Sequence, residues 1–338
     1  MMGNATSAAT MRAFVVTGPA RAGVVRVPVP VAGPGEVVVA VERAGVCGTD
    51  AEIFTGEMSY LHTGQAAYPM RIGHEWSGVV SAVGPGVDET WRGRRVTGDT
   101  MLGCGHCARC VGGRQHLCAD RYEIGIRNGW PGALAEYLPV PVRALHPLPS
   151  TVDFVAGALV EPAANAVRAV RAAAVTGRLL VIGPGTIGLL CAMLATADGV
   201  DVHVLGVDEP SLAFARSLGL AATSAPPEGL FDAVIDASGA ASVPARAVEL
   251  VEPGRRVVFI GLSGEPSLID SRQLVFRDVT AVGVLSGSGG LTGAIESFAT
   301  IDPRPLVAAT VGLADVADVL AGTGRYGPAP KVQVDPRR

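Results

Sequence analysis

Short apolar stretches alternate with amphipathic segments through the second half of this 338-residue chain. Five of them have the length and composition of buried strands: RLLVIG (178–183), DVHVLGVD (201–208), FDAVIDAS (231–238), RRVVFIG (255–261) and VTAVGV (279–284). Parallel strands need a crossover that returns the chain to the same end of the sheet, and a helix supplies it over one face. The alternation therefore predicts an α/β fold, a doubly wound parallel sheet that begins near residue 153.

The residues before this region have a different pattern. Runs such as EVVVAVERAGV (36–46) and EWSGVVSAVG (75–84) are short and rich in valine, and glycine and proline separate them. This pattern predicts a β-rich domain of short strands from about Met11 onward. The residues before Met11 lack the pattern, and we expect residues 1–10 to form a flexible leader.

Composition argues against several classes of function. The formal net charge of −4 at pH 7 offers no strongly basic surface for a nucleic acid. No apolar run is long enough to cross a bilayer, and the first residues lack the basic and apolar regions of a secretory signal. We therefore expect a cytoplasmic protein without a nucleic-acid or membrane partner, in which the six cysteines stay reduced.

A glycine-rich turn follows the first of the five apolar stretches. Residues 183–188 read Gly-Pro-Gly-Thr-Ile-Gly, the pattern G-x-G-x-x-G, between a predicted strand and a predicted helix. Such a turn brings backbone N–H groups and a helix N-terminus close to a pyrophosphate, so the pattern predicts a dinucleotide site. The predicted dinucleotide-binding residues of the turn are Gly183, Gly185, Thr186, Ile187 and Gly188.

Asp208 closes the second apolar stretch, twenty residues after Gly188. A carboxylate at this position accepts hydrogen bonds from the adenine ribose hydroxyls and repels a 2′-phosphate. The sequence therefore favours NAD over NADP. A turn or helix cap before EPSLAFARSLG (209–219) is the alternative role of Asp208.

Four cysteines fall within fifteen positions, with the spacing C-x2-C-x2-C-x7-C. Four thiolates fill the tetrahedral positions of one zinc ion, so such a site is structural and leaves no position for a substrate. An iron–sulfur cluster is the alternative, but the bacterial ferredoxin run has a shorter last gap and a proline after the fourth cysteine. The predicted structural ligands are Cys104, Cys107, Cys110 and Cys118, in a lobe of residues 103–118. His106 and His116 of this lobe are expected to be solvated.

Chemistry at a metal requires a second, open site. Cys47, His74, Glu75 and Glu161 each lie close to glycine or proline, where a side chain can point into a cleft. One sulfur, one imidazole and one carboxylate hold zinc and leave the fourth position for water or an alcohol. Taken singly, these residues also have ordinary explanations: a buried thiol, a hydrogen-bonded imidazole and a surface acid.

The order of these motifs resembles the zinc-dependent medium-chain alcohol dehydrogenase family. The motifs are CGTD (47–50), GHEWSGVVSAVGPGV (73–87), the four cysteines, VEP (160–162) and the glycine turn. The resemblance implies a GroES-like β-rich catalytic domain and a Rossmann coenzyme domain. It places the catalytic domain at residues 11–152 and 286–338 and the coenzyme domain at residues 153–285.

The resemblance also implies roles for the metal-capable residues. Cys47, His74 and Glu161 would hold a catalytic zinc, and Glu75 beside them would exchange as a ligand. Alcohol dehydrogenases with a Cys2His site have a second cysteine where this chain has Glu161, which points to the sorbitol, threonine and sugar dehydrogenase branch. The implied cofactors are one catalytic and one structural zinc ion in each chain, and NAD.

The segment after Cys47 contains three positions at which the family has supporting groups. Asp50 resembles the acid that orients the zinc-bound imidazole, here that of His74, and Thr49 resembles the hydroxyl that passes the substrate's proton outward. Glu52 occupies the position where a histidine ends this relay in the ethanol-type branch, so the end of the relay stays open here, and Glu52 is instead a candidate for contact with the substrate. The implied reaction is hydride transfer between an alcohol carbon and the nicotinamide.

The substrate is the least defined part of the prediction. RYEIGIRNG (121–129) is similar to sugar and glucose dehydrogenases, and Glu123, Arg127 and Asn165 offer polar groups for several hydroxyls. We expect a secondary alcohol of a polyol, sugar or cyclitol, amino-cyclitols included. The alternatives are a threonine, amino-alcohol or aldehyde dehydrogenase of the same fold, and a non-catalytic scaffold that binds zinc and NAD. Relatives in this branch imply a homo-oligomer, a tetramer or a dimer.

Overall fold

The computed structural model describes residues 9–338, which form two compact units. The first unit extends to Ala158 and includes Ala309–Arg325 and Val332–Arg338, and the second contains Leu159–Ala308 and Tyr326–Lys331. Of the expected leader, residues 1–8 lie outside the described residues, whereas Thr10 already belongs to the first strand. The domain limits at residues 152 and 286 remain predictions.

The strands and helices are numbered in chain order. The strands are β1 (Thr10–Gly18), β2 (Arg21–Pro28), β3 (Glu36–Gly45), β4 (Met70–Arg71), β5 (Glu75–Val83), β6 (Arg95–Gly98), β7 (Met101–Leu102), β8 (Tyr122–Glu123), β9 (Tyr137–Pro141), β10 (Leu145–Pro147), β11 (Arg178–Ile182), β12 (Asp201–Leu205), β13 (Ala221–Thr223), β14 (Phe231–Asp236), β15 (Val251–Phe259), β16 (Thr280–Gly283), β17 (Val307–Gly312) and β18 (Lys331–Asp335). The helices are α1 (Gly48–Thr55), α2 (Ser59–His62), α3 (Ala108–Val111), α4 (Phe154–Ala158), α5 (Val160–Ala173), α6 (Thr186–Ala197), α7 (Glu209–Ser217), α8 (Val243–Leu250), α9 (Ser271–Phe276), α10 (Leu291–Ser297) and α11 (Val316–Leu320). Among residues 9–338, no helix combines the length and the apolar character needed to span a membrane.

The first unit is built from short strands in three sheets. The largest has the order β10-β6-β5-β3-β18-β17, and β9 also pairs with β3; β2-β1-β4 and β7-β8 form the other two. Apolar side chains such as Phe14, Val39 and Trp76 fill its interior and are almost completely buried. Position 78 on β5 requires glycine, because a Cβ there would lie 2.2 Å from the carbonyl oxygen of Ala40. The β-rich fold predicted for this half of the chain is confirmed.

Strands β3 and β5 bring together two segments that carry candidate metal ligands. The strands are antiparallel, and Gly45 at the end of β3 pairs with Glu75 at the start of β5. Cys47 precedes α1 directly, and His74 precedes β5 directly. Because the end of one antiparallel strand lies beside the start of its partner, residues far apart in the sequence become neighbours.

Within the described residues, the second unit contains a parallel sheet of six strands in the order β13-β12-β11-β14-β15-β16. The pairs along this sheet are all parallel. This is the doubly wound Rossmann order, in which a ligand binds where the strand order reverses, next to the first strand. The α/β fold predicted from the alternation of strands and helices is therefore confirmed.

The sequence pattern misses two strands and shortens a third. β13 has three residues, too few for a recognisable pattern. β17 lies after the fifth predicted stretch, where the sequence pattern predicts two helical segments and a last strand, PKVQV (330–334). β15 begins at Val251, before the predicted stretch at 255–261, and its pairing with β14 is irregular between Phe231 and Ala233. Short and irregular strands depend on their sheet neighbours more than on local sequence.

Two valines of the second unit provide a matched test of its core. Val234 on β14 is completely buried in an apolar cluster, whereas Val207 is 98% exposed. We expect Val234→Ala to lower the free energy of unfolding by about 2 kcal/mol, because it leaves a cavity, and Val207→Ala to change it by less than about 0.5 kcal/mol. Urea unfolding followed by circular dichroism measures both changes. Equal losses in the two variants would contradict this description of the core.

Candidate functional site

Cys47, His74 and Glu75 form a compact group of candidate metal ligands in the first unit. One sulfur, nitrogen or oxygen atom of each lies within 4.8 Å of the others. His74 and Glu75 are buried and Cys47 is partly buried. Thiolate, imidazole and carboxylate are ligand types that zinc accepts. The structure thus places three of the four residues predicted for the open site close enough together for one ion to contact them all.

The buried carboxylate of Asp50 connects the two chain segments that carry these residues. Its Oδ2 accepts a hydrogen bond from the backbone N–H of Cys47 at 2.9 Å, and its Oδ1 accepts one from the N–H of Gly73 at 3.0 Å. Oδ1 also lies 3.7 Å from His74 Nδ1. One side chain therefore fixes both the N-terminus of α1 and the turn before β5, and it faces the imidazole that it is predicted to orient.

The surroundings of His74 favour a positive charge on or beside the imidazole. Burial alone lowers the pKa of His74, but the carboxylate of Asp50 and the sulfur of Cys47 raise it, and the resulting pKa is well above the usual value. Groups that attract a proton here also attract a metal cation, because both neutralise the same buried negative charge. A zinc ion therefore fits both the donor atoms and the charge of this group.

The backbone around Glu75 is constrained from two sides. A Cβ on Gly45 would lie 2.0 Å from Glu75 Oε2, so glycine at the end of β3 leaves the room that this carboxylate occupies. On the other side, Thr100 Oγ1 donates a hydrogen bond to the carbonyl oxygen of His74 at 3.3 Å. These contacts limit the positions that His74 and Glu75 can take, as a metal site requires.

Glu161 and Asn165 lie on α5, in the second unit. Glu161 is buried, and Asn165 Nδ2 donates hydrogen bonds to Glu161 Oε1 and to the Glu161 carbonyl oxygen, each at 3.0 Å. Asn165, predicted to contact substrate, thus contacts the predicted metal ligand Glu161 in this structure. The roles of both residues stay predictions.

Four cysteines form a second group, in the lobe after β7. Their sulfur atoms lie within 4.8 Å of one another. Hydrogen bonds from the backbone N–H groups of His106 and Cys107 lower the pKa of the Cys104 thiol to about 6. Burial raises the pKa of the Cys110 thiol to about 12. Four adjacent thiolates repel one another unless a cation binds between them. The cluster therefore fits a structural zinc ion.

The two histidines of this lobe differ in exposure. His106 is exposed, and its Nδ1 lies 3.1 Å from the carbonyl oxygen of Cys104. His116 is buried, with 6% of its surface exposed. The expectation that both are solvated is wrong for His116, because the 3-10 turn Gln115–Leu117 places it inside the lobe.

The glycine turn connects β11 with α6. Gly183 has a φ of +102°, a conformation that favours glycine, and a Cβ on Gly188 would lie 1.9 Å from the carbonyl oxygen of Gly183. Gly185 precedes the first helical residue, Thr186, and Ile187 follows it in the first turn. The first N–H groups of a helix have no partner within the helix, so this turn can bind an anion.

Asp208 follows β12 and caps α7. Its Oδ2 accepts hydrogen bonds from the Ser211 N–H at 2.9 Å and from the Ser211 hydroxyl at 2.7 Å. These bonds lower the pKa of Asp208, so the carboxylate is negative at neutral pH. The cap uses Oδ2, which leaves Oδ1 for a ligand. The helix-cap role and the predicted ribose-binding role are therefore compatible.

The predicted substrate residues Glu123 and Arg127 belong to a cluster with Tyr60 and Arg121. Tyr60 Oη donates to Glu123 Oε1 at 3.2 Å, and Arg121 Nε donates to the same oxygen at 2.8 Å. Arg127 Nη1 lies 3.9 Å from it. Arg121 is not among the predicted substrate residues, although RYEIGIRNG contains it, because its contact with Tyr60 joins residues that are distant in the sequence.

Thr49 and Glu52 lie one turn apart on α1, directly after Cys47. Residues three apart on a helix share a face. Partial burial, and then the neighbouring Glu57, raise the pKa of the Glu52 carboxyl group. Thr49, the predicted relay hydroxyl, and Glu52, a predicted substrate residue, therefore share one face of α1, and Thr49 is the one closer to the candidate metal group in the sequence.

Two family descriptions match most of the chain. Residues 33–150 match "Alcohol dehydrogenase GroES-like domain", and residues 186–300 match "Zinc-binding dehydrogenase". The first range contains Cys47, His74, Glu75 and the four-cysteine lobe.

Individual proteins agree with these matches. The L-threonine 3-dehydrogenase of Idiomarina loihiensis is 32% identical over 270 residues, which cover 75% of this chain and 78% of that protein. An alcohol dehydrogenase structure from Escherichia coli CFT073 in complex with NADH has a TM-score of 0.88 at 27% identity, over 96% of this chain and 99% of that one. A Sinorhizobium meliloti structure bound to NADP and described as a zinc-binding dehydrogenase has a TM-score of 0.88 at 28% identity, over 97% of this chain and 100% of that one. The chain therefore belongs to the family of zinc-containing, NAD(P)-dependent medium-chain alcohol dehydrogenases.

Proposed function

We propose that this enzyme transfers a hydride between NAD and a secondary alcohol of a polyol, a sugar or a cyclitol, amino-cyclitols included. The observation that carries the proposal is the buried group of Cys47, His74 and Glu75, whose segments Asp50 connects. A group with three mixed donors leaves zinc a position for an alcohol, whereas four thiolates leave none. We therefore assign the chemistry to the mixed group and a structural role to the four cysteines.

The catalytic zinc would be held by Cys47, His74 and Glu161, with Glu75 as an exchangeable ligand. Bound zinc would polarise the alcohol oxygen and lower the pKa of its hydroxyl group, while NAD would accept the hydride. Support for Glu75 comes from its place beside His74, and support for Glu161 comes from its burial and its hydrogen bond with Asn165.

The chain's own side chains would orient the imidazole and move the proton. Asp50 would hold His74 in one orientation, since its Oδ1 lies 3.7 Å from His74 Nδ1. Thr49 would accept the proton of the substrate hydroxyl and pass it outward to Glu52. The raised pKa of Glu52 suits a group that takes up and releases a proton.

The second unit would bind the coenzyme at the glycine turn. Gly183, Gly185 and Gly188 would let the pyrophosphate approach the N-terminus of α6, with Thr186 and Ile187 in its first turn. Asp208 Oδ1 would accept hydrogen bonds from the adenine ribose. One similar structure contains NADH and another contains NADP, so the preference for NAD depends on Asp208.

L-threonine is the second candidate substrate. Several relatives at about a third identity are L-threonine 3-dehydrogenases and match three quarters of the chain. L-threonine is itself a secondary alcohol, so the same zinc group and the same proton relay would serve it.

We also propose that the enzyme works in the cytoplasm as a homo-oligomer, a dimer or a tetramer. Zinc-bound thiolates are stable in a reducing compartment. On the second unit, Val275 and Phe276 at the end of α9 are more than three-quarters exposed, and β16 is an edge strand of its sheet. Exposed apolar side chains and an unpaired strand edge are typical of a surface that contacts another chain.

The first test measures formation of reduced nicotinamide by the zinc-loaded enzyme, with NAD and NADP in parallel. The substrates are simple alcohols, polyols, sugars, cyclitols, amino-cyclitols and L-threonine. We expect turnover with NAD on one polyhydroxylated class. Turnover on L-threonine alone would favour the second candidate. A protein that binds both zinc ions and NAD but oxidises none of these compounds would contradict the proposed substrates and favour a non-catalytic scaffold.

His74→Ala and Cys104→Ser separate the two metal sites. His74→Ala should reduce turnover by about a thousandfold or more, because the Lewis acid supplies several kcal/mol of transition-state stabilisation, and should keep the fold. Cys104→Ser should lower the unfolding temperature, because a structural zinc contributes to folding stability. Each variant should lose one zinc ion, measured by atomic emission. Near-normal turnover in His74→Ala would contradict the catalytic assignment.

Asp208→Asn tests the coenzyme preference. Asparagine keeps an oxygen that can cap α7 but removes the negative charge that repels a 2′-phosphate. We expect the KM for NADP to fall roughly tenfold, with a smaller change in the KM for NAD. Asp201→Asn, at the exposed start of β12, removes the same charge elsewhere in this unit and is the control. An unchanged ratio of the two KM values in Asp208→Asn would refute the role of Asp208.

A further inference from the structure

The cluster of Tyr60, Arg121, Glu123 and Arg127, here called the Arg127 cluster, has an excess of positive charge. Within residues 9–338, Glu123 is the one carboxylate that pairs with either guanidinium group. Its Oε1 already accepts hydrogen bonds from Tyr60 and Arg121. Two cations and one anion leave a formal charge of +1 in a largely buried place, which is costly unless another anion approaches.

Arg127 is the member of the cluster whose hydrogen-bonding needs are unmet. Its side chain is more than nine-tenths buried, and its Nε and Nη1 atoms are shielded from solvent without a hydrogen-bond partner. The distance of 3.9 Å from Nη1 to Glu123 Oε1 is too long for a hydrogen bond. The guanidinium carbon lies 5.4 Å from the centre of the Tyr60 ring, and the phenol is partly exposed. Buried donors without partners indicate that a group absent from the protein itself satisfies them.

The turn around Gly125, between Glu123 and Arg127, packs directly against the peptide that precedes His74. The Ile124 N–H donates to the carbonyl oxygen of Thr100 at 3.0 Å, and the Thr100 hydroxyl donates to the carbonyl oxygen of His74. A Cβ on Gly125 would lie 2.6 Å from the carbonyl oxygen of Gly73. The Arg127 cluster and the candidate catalytic group thus belong to adjoining segments of the first unit.

We propose that the Arg127 cluster binds an anionic group of the substrate, a carboxylate or a phosphate. The preferred substrate is then a secondary alcohol that carries such a group: a sugar acid, a phosphorylated polyol or a hydroxy amino acid. This inference rests on the proposed function, because it concerns the substrate of the same metal site. The inference restricts the proposed substrates from polyhydroxylated alcohols in general to alcohols that carry a negative charge. L-threonine and the sugar acids share a carboxylate, so the same cluster would bind both. Arg127 is the residue that determines this specificity.

Pairs of substrates that differ in one charged group test the proposal on the wild-type enzyme. L-idonate is compared with L-iditol, galactitol 1-phosphate with galactitol, and L-threonine with L-threonine amide. We expect kcat/KM to be higher for the anionic member of at least one pair by roughly ten- to a hundredfold, which is typical of one charge-assisted hydrogen bond or two. The pair that responds distinguishes a carboxylate from a phosphate. Equal kcat/KM values within every pair that reacts would overturn the proposal.

Arg127→Gln and Arg71→Gln then form a matched pair of variants. Arg71 is also a partly buried guanidinium with an unpartnered Nε, and it lines a mainly apolar cavity of about 320 Å³ whose lining does not include Arg127. We expect Arg127→Gln to raise the KM of the anionic substrate roughly ten- to a hundredfold more than it raises the KM of the neutral one. Arg71→Gln should leave the preference for the anion unchanged. Equal losses in both variants would overturn the specific role of Arg127.

Failure of this inference can be distinguished from failure of the proposed function. Turnover of neutral and anionic alcohols at equal efficiency would overturn the inference and leave the proposed function in place. Absence of turnover on every pair would count against the proposed function, and binding of L-idonate and galactitol 1-phosphate is then measured by calorimetry. Binding that Arg127→Gln abolishes would support the anion site, and no binding to the wild-type protein would overturn it. Because the wild-type comparison needs no variant, a variant that fails to fold does not prevent the test.

Discussion

The buried carboxylate of Asp50 is the contact on which the geometry of the candidate metal site depends. It accepts the N–H of Cys47 with one oxygen and the N–H of Gly73 with the other. A carboxylate that is completely buried costs several kcal/mol unless each oxygen has a partner. The two hydrogen bonds of Asp50 therefore hold the start of α1 beside the turn before His74, and they thereby position the predicted zinc ligands Cys47 and His74. The pairing of β3 with β5 brings the two segments near each other, and the hydrogen bonds of Asp50 then hold one segment against the other.

The two metal sites differ in how much of the chain they need. The four cysteines lie within residues 104–118, so their sulfur atoms can meet through local turns alone. Cys47 and His74 meet because two strands pair in one register, and a shift of one residue would turn Glu75 to the opposite face of β5. The lobe therefore needs only local turns to bring its ligands together, whereas the open site also needs the strand pairing of the first unit.

This difference explains how much could be predicted from the sequence. The parallel sheet, the glycine turn and the four-cysteine lobe are predicted because their signals are local: strand and helix periodicity, a required positive φ and a fixed spacing. The contact of Asp50 with Gly73 and the room that Gly45 leaves for Glu75 depend on which strands pair, and no local pattern indicates that. Arg121 is not predicted because it contacts Tyr60, a residue distant in the sequence. The expectation that His116 is solvated follows from four thiolates completing the zinc site without it, but the fold of the lobe buries it.

The two units carry candidate binding groups of opposite charge. In the second unit, the carboxylate of Asp208 accepts hydrogen bonds from Ser211 and is negative at neutral pH, and in its proposed role it would disfavour a phosphate on the adenine ribose. In the first unit, the Arg127 cluster has the opposite sign and attracts an anion. Under the two proposals, a coenzyme without a 2′-phosphate would avoid repulsion by Asp208, and an alcohol with a carboxylate or phosphate would be attracted to the Arg127 cluster. The proposed zinc ligands would suit any alcohol, whereas these two charged groups would decide which coenzyme and which alcohol react.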